Sequence, residues 1–180
     1  MTSQFEAIDS ETIHEGKFIT LERRTYRHED GEEVQREIVT HPGAVGVVVL
    51  DGDTLWLVRQ PREAVGAPDL LEIPAGKLDE EGEGPLETAK RELAEEIGKR
   101  ADHWEELGSF FTSPGFATEE VFLYLATGIS DADETPAVQE DERIDVEVRP
   151  VGDIDAILAE SKDAKTLIAL MRVKEKLAAG

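Results

Sequence analysis

Apolar and polar positions fall along this chain in a few separated blocks. "AVGVVVL" at 44–50 is almost continuously apolar and rich in valine, the pattern of a central strand. "DGD" at 51–53 turns the chain into "TLWLVRQ" at 54–60, so the two runs predict a hairpin. Upstream, "KFITLERRTYR" (17–27), "HEDGEE" and "VQREIVT" predict a second hairpin with Asp30-Gly31 in its turn. That hairpin is polar, which suggests a small outlying sheet. Residues 61–70, "PREAVGAPDL", carry two prolines and a glycine and predict a loop or irregular extension, followed by "LEIPAG" at 71–76.

Beyond an acidic, glycine-bearing loop, Pro85 suits the first turn of a helix. Leu86, Ala89, Leu93 and Ile97 then recur at spacings of 3, 4 and 4, one apolar helical face, and Gly98 is a natural stop. "LGSFFTS" (107–113) and "VFLYLATGI" (121–129) predict strands around the loop "PGFATEE". "RIDVEVRPV" (143–151) predicts another strand, "DIDAILAE" (153–160) a short helix, and "AKTLIALMRVKEKLAAG" a longer closing one. The order is strands, a central helix, strands, then helices. Without regular strand–helix alternation, a doubly wound sheet is disfavoured and an α+β domain is expected.

Composition narrows the chemistry. A length of 180 residues suits one compact domain with a small N-terminal attachment, here residues 1–40 before a domain at 41–180. With no cysteine, disulfides, thiolate metal sites and cysteine nucleophiles are excluded. The four histidines are scattered without ligand spacing. No apolar run approaches the roughly 20 residues that cross a bilayer. The start "MTSQFEAIDS" lacks a basic n-region and an apolar h-region, so a cytoplasmic protein is expected, with no membrane partner. The net charge of -22, from 41 acidic and 19 basic residues, argues against a nucleic-acid partner. Because the excess is spread along the chain, it fits either adaptation to a salt-rich cytosol or an ordinary acidic protein.

The densest charge lies in "RELAEEIG" at 91–98. On a helix, Glu92 and Glu96 are one turn apart with Glu95 beside them, and like charges at that spacing repel. Hard oxygens gathered this way suit Mg²⁺ or Mn²⁺. In so acidic a chain they also fit a solvated face.

The longer run "GKLDEEGEGPLETAKRELAEEIG" from residue 76 resembles the Nudix box: a glycine, a glutamate, then Arg-Glu-x-x-Glu-Glu-x-Gly. The matching residues are Gly76, Glu83, Arg91, Glu92, Glu95, Glu96 and Gly98, with seven residues between Glu83 and Arg91 as in the family. Two positions depart from the pattern. Six residues, not five, separate Gly76 from Glu83, and Lys99 stands where an aliphatic residue is usual. "VRQPR" (58–62), "LEIPAG" and "SPGFATEE" (113–120) look like segments of the ADP-ribose pyrophosphatases in this family. Pro114, sixteen residues after Gly98, matches their spacing.

The resemblance implies an α/β/α sandwich with a central mixed sheet, a catalytic helix after a glycine-bearing loop and a small N-terminal antiparallel hairpin or sheet. It implies Mg²⁺- or Mn²⁺-dependent hydrolysis of a nucleoside diphosphate sugar, with ADP-ribose giving AMP and ribose 5-phosphate. Metal ligands would be Glu92, Glu96, Glu95 and the Ala75 carbonyl. Arg91 would be an orienting ion-pair residue toward Glu83, alongside an ordinary pair with Glu87 or Glu95, and Gly76 and Gly98 would be structural. The catalytic base would come from "VQEDERID", as Glu142 with Glu140 next; an ordinary solvated loop is the alternative there.

Arg62 would reach the diphosphate or terminal ribose. Glu72 would accept a substrate hydrogen bond or simply finish a strand. Phe116 and Glu119 would shape the ribose side. Family members that are homodimers suggest that Arg27 or Tyr26 clamps adenine on a partner. GDP-mannose or another ADP-sugar is the rival substrate. A non-catalytic nucleotide-binding member is disfavoured because all three box glutamates are present.

Overall fold

The computed structural model describes residues 4–132 and 143–179. Strands β1 (Phe5–Glu15), β2 (Thr20–His28) and β3 (Glu33–Thr40) form an antiparallel sheet in the order β1-β2-β3. The expected hairpin is β2–β3, turned through Gly31 at φ +85°, a left-handed conformation that glycine adopts without strain. The sheet gains a strand, β1, that the residue pattern conceals. Register shifts between Ala7 and Asp9 and between Thr12 and His14 each change which face the side chains take, so no period of two survives.

The chain packs as two compact units, one holding the residues up to Gly43 together with Phe111–Glu120. Backbone bonds tie that second segment to the end of β3. Val39 N donates to the Phe116 carbonyl at 2.7 Å, and Thr118 N donates to the Val39 carbonyl at 3.0 Å.

The other unit holds Ala44–Phe110 and the chain from Val121 onward. Its seven-stranded sheet contains β4 (Ala44–Asp51), β5 (Thr54–Arg62), β6 (Ala67–Glu72), β7 (Ala75–Lys77), β8 (Lys99–Phe111), β9 (Glu120–Asp131) and β10 (Asp145–Pro150). The order is β10-β5-β4-β9-β8, with β6 on β5 and β7 on β4. β4 runs parallel to β9 and antiparallel to β5 and β7, so the sheet is mixed. Helix α1 (Pro85–Ile97) covers one face; α2 (Ile154–Glu160) and α3 (Ala164–Ala179) cover the other.

The valine run is explained by this sandwich. Val45, Val47 and Val49 pack toward Ala89, Leu93 and Ile97 of α1, while Val48 packs toward Ile157, Ala169, Leu170 and Val173. Both faces are covered, so β4 needs no polar alternation. The expected sandwich is therefore present.

Two expectations change in detail. The segment 61–70 is not irregular throughout: β5 runs to Arg62, a 3₁₀ turn spans Glu63–Val65, and β6 begins at Ala67. Pro61 lies within β5 where the register shifts between Gln60 and Arg62, and Pro68 lies in β6, off the sheet's main path. Such places tolerate a residue with no N–H to donate. β8 also starts earlier than expected, at Lys99, because an edge strand keeps its ladder on one side and can carry the polar run "KRADHWEE".

Candidate active site

Helix α1 starts where its local chemistry says it should. Pro85 occupies the first turn, where its missing N–H costs nothing. Gly98 closes the helix at φ 64°, its N–H donating back to the Ala94 and Leu93 carbonyls. Ala89, Leu93 and Ile97 are buried on the sheet with Leu86 half-buried, and this packing sets the rotation of the helix. Glu92 and Glu96 are thereby brought to β7. The Ala75 N–H donates to Glu96 Oε2 at 2.9 Å, and the Glu96 side chain is buried. A Cβ on Gly76 would fall inside the Glu92 carboxylate, so only a glycine leaves that carboxylate its place.

Arg91 stands among the acids. Its Nη1 donates to Glu92 at 2.8 Å and to Glu95 at 2.9 Å, and its Nε pairs with Glu83 at 3.2 Å. Glu83 also accepts from Thr88 Oγ1 at 3.1 Å. The extra residue of the acidic turn, where Gly82 takes φ +86°, is thus absorbed before Glu83. Burial works against charge on Arg91, but Glu92, Glu83 and Glu95 outweigh it and raise its pKa further. Lys99 replaces an aliphatic residue by lying with its ammonium 4.4 Å from the centre of the Trp56 ring and pairing with Asp131 at 2.6 Å.

Among the described residues, no three acidic or histidine side chains are already arranged as a metal site. The groups nonetheless suit a hard divalent cation. Carboxylates are the donors such ions take, and the strand backbone approaches Glu92 as closely as a glycine permits.

On the other side of the Ile73-Pro74 step, Glu72 is fully buried at the end of β6. Arg62 grips it with two parallel bonds, Nε to Oε1 at 2.7 Å and Nη2 to Oε2 at 2.8 Å. Lys165 of α3 also donates to Glu72 Oε2. Burial would raise the Glu72 pKa, but the Arg62 and Lys165 charges prevail and hold it below the usual carboxylate value. A lowered folded-state pKa stabilises above the unfolded value of about 4.3 and loses that contribution as pH falls through the folded value. Glu72→Gln should therefore be about 3 kcal/mol less stable than the native chain at neutral pH, as when one partner of a buried ion pair is lost. The gap should narrow below about pH 4.3. Denaturant titrations at pH 7 and pH 3 check this, and a gap unchanged between them refutes it.

Ala75, Gly76, Glu83, Arg91, Glu92, Glu95, Glu96, Gly98, Arg62 and Glu72 thus all lie in one unit. Arg27, Tyr26, Pro114, Phe116 and Glu119 lie in the other. There Arg27 pairs with Glu33 at 2.8 Å, Tyr26 meets Phe5 edge-to-face at 5.5 Å, and the Phe116 side chain is exposed. Glu119 accepts from Thr112 Oγ1 at 2.7 Å. Glu142 and Glu140 lie outside the described residues.

Sequence reasoning missed Thr88, Lys165, Asp163 and Thr166. Asp163 just before α3 carries an N-cap signature: its carboxylate accepts from the Thr166 N–H at 3.0 Å. Nothing local announces that Lys165 meets Glu72.

With this geometry in view, the relatives are informative. The family model of the NUDIX domain matches residues 40–171. An ADP-ribose pyrophosphatase of Bacillus subtilis (strain 168) is 42% identical over 181 residues, covering 97% of this chain and 96% of the relative. An ADP-ribose pyrophosphatase of Mycobacterium tuberculosis (strain ATCC 25618 / H37Rv) is 44% identical over 138 residues, 76% of this chain and 66% of the relative's length. A crystal structure of an ADP compounds hydrolase superposes with a TM-score of 0.84 at 22% identity, covering 98% of this chain and 95% of that one, which speaks to the fold alone. No helix among the described residues is long and apolar enough to cross a membrane. The glutamate helix docked on a glycine strand and the family match over most of the chain lead to one conclusion: the protein belongs to the Nudix family, as a pyrophosphohydrolase related to the ADP-ribose pyrophosphatase type.

Proposed function

We propose that this Nudix pyrophosphatase, whose substrate is a nucleoside diphosphate-linked compound, hydrolyses ADP-ribose to AMP and ribose 5-phosphate. The observation that carries the reading is the Arg62–Glu72 pair, a fixed guanidinium in the same unit as the glutamates of α1. The two pyrophosphatase relatives support the choice of ADP-ribose, as does the Pro114 spacing. Water adds to one phosphorus of the diphosphate and the bridging P–O bond breaks.

Glu92, Glu95, Glu96 and the Ala75 carbonyl would hold Mg²⁺, or Mn²⁺ in its place. When bound, the cation neutralises phosphate oxygens and acidifies a water. Arg91 orients Glu92 and Glu95 through one nitrogen, and Glu83 keeps that guanidinium in line. Arg62 binds the diphosphate or the terminal ribose. Phe116 and Glu119 shape the ribose side, and Glu142, with Glu140 as the second choice, takes the proton from water. The working form is a homodimer.

The test is a panel of ADP-ribose, ADP-glucose, GDP-mannose and a dinucleotide with Mg²⁺, with products resolved by chromatography. ADP-ribose should dominate and yield AMP and ribose 5-phosphate. Preferential turnover of GDP-mannose or the dinucleotide would overturn the substrate assignment and the use of Pro114 as its marker, while keeping the family chemistry.

A further inference from the structure

Behind Arg62 lies a chain of alternating charges that reaches the start of the last long helix. Glu72 has a side chain only 1% exposed, yet its two oxygens serve both Arg62 and Lys165. Lys165, its side chain 13% exposed, also places its ammonium 3.1 Å from Asp163 Oδ1. The other oxygen of Asp163 caps α3 through the Thr166 N–H at 3.0 Å and accepts from the Thr166 hydroxyl at 2.6 Å. That hydroxyl in turn accepts from the Ile73 N–H at 2.9 Å, the residue next to Glu72. Ser161, just after α2, adds a bond from its hydroxyl to the Leu71 carbonyl at 2.8 Å. Residues 71–73 are therefore clamped to the α2–α3 junction at three consecutive positions, and Lys165 is the charged side chain among the three that reach them.

We infer that Lys165 is a positioning residue for substrate binding: it fixes the Glu72 carboxylate from behind, and Glu72 in turn aims the Arg62 guanidinium. Arg62 spends Nε and Nη2 on Glu72, while its side chain remains 41% exposed and Nη1 makes no hydrogen bond among the described residues. A planar fork held at two atoms points its third in one direction, so the direction follows the plane of the carboxylate. Lys165 helps hold that plane, because a second cation on Oε2 restrains the carboxylate beyond what Arg62 alone imposes. Without it, the buried carboxylate depends on Arg62 alone and loses the contact that fixes its orientation. The inference rests on the reading of Arg62 as a substrate contact, and its test separates the two.

Steady-state kinetics on ADP-ribose with Mg²⁺, or on the diphosphate the panel selects, should show Lys165→Met raising KM about tenfold with kcat little changed, the mark of lost binding in ground and transition states alike. Lys165→Arg, which can still serve Glu72 and Asp163 together, should recover most of the loss. In an Arg62→Ala background, Lys165→Met should add nothing to KM, because the two residues act through one contact. A purely structural lysine would instead raise KM equally in both backgrounds, and that result overturns the inference. If Arg62→Ala raises KM while Lys165→Met leaves it unchanged, the inference fails and the Arg62 reading survives. If Arg62→Ala leaves KM unchanged, both fail. Thermal melts accompany each variant, and Lys165→Gln replaces Lys165→Met in the same comparison if the methionine variant does not fold.

Discussion

Glu96→Gln is expected to lower turnover about a thousandfold or more while leaving the fold intact, since a metal-held carboxylate is worth several kcal/mol and each 1.36 kcal/mol is tenfold in rate. The side chain is buried and accepts a hydrogen bond from the Ala75 N–H at 2.9 Å. Glutamine still offers an oxygen to that N–H, so the link between α1 and β7 persists. What disappears is the negative charge, which a hard divalent cation requires far more than the shape of the side chain. Turnover with saturating Mg²⁺ and a thermal melt of the same sample check both halves. Native-like turnover would remove Glu96 from the metal site; a collapse in melting temperature would show instead that its charge serves the fold.

Gly76→Ala should also be damaging, by a smaller factor and for a steric reason. Gly76 does not have positive φ, so alanine meets no backbone objection there. The objection is space: the new methyl group would occupy the position of the Glu92 carboxylate. Glu92 must swing away, breaking its 2.8 Å bond from Arg91 and leaving the strand it faces. Displacing a ligand through its support typically costs about 10–100-fold in metal affinity or activity, and the upper end is expected here. Mn²⁺ titration followed by calorimetry, beside kcat, is the measurement. Native affinity for Mn²⁺ would show that Glu92 is not a ligand or that β7 yields at little cost.

The helix that carries these glutamates is encoded locally. Pro85, the apolar face of Leu86, Ala89, Leu93 and Ile97, and the stop at Gly98 predict α1 from start to end, and α1 spans Pro85–Ile97. The same spacing puts Glu92 and Glu96 one turn apart wherever the helix packs. β4 was equally legible, because a strand covered on both faces leaves an unbroken apolar run. β1 was not, since its two register shifts erase the alternation that marks a strand. Nor was β6, whose Pro68 looks like loop chemistry unless the strand is known to lie off the sheet's main path.

At the site, the division follows distance along the chain. Local periodicity by itself determined the helix, its ends, and the gathering of Arg91, Glu92, Glu95 and Glu96 on adjoining positions, because backbone geometry repeats every 3.6 residues whatever the surroundings. Only the tertiary structure decided that Gly76 lies against Glu92, and that Lys165, 93 residues away, completes the charge on Glu72. Those contacts depend on how β7 and α3 pack against the rest of the sheet. A contact made by packing leaves no period in the sequence from which it could be read.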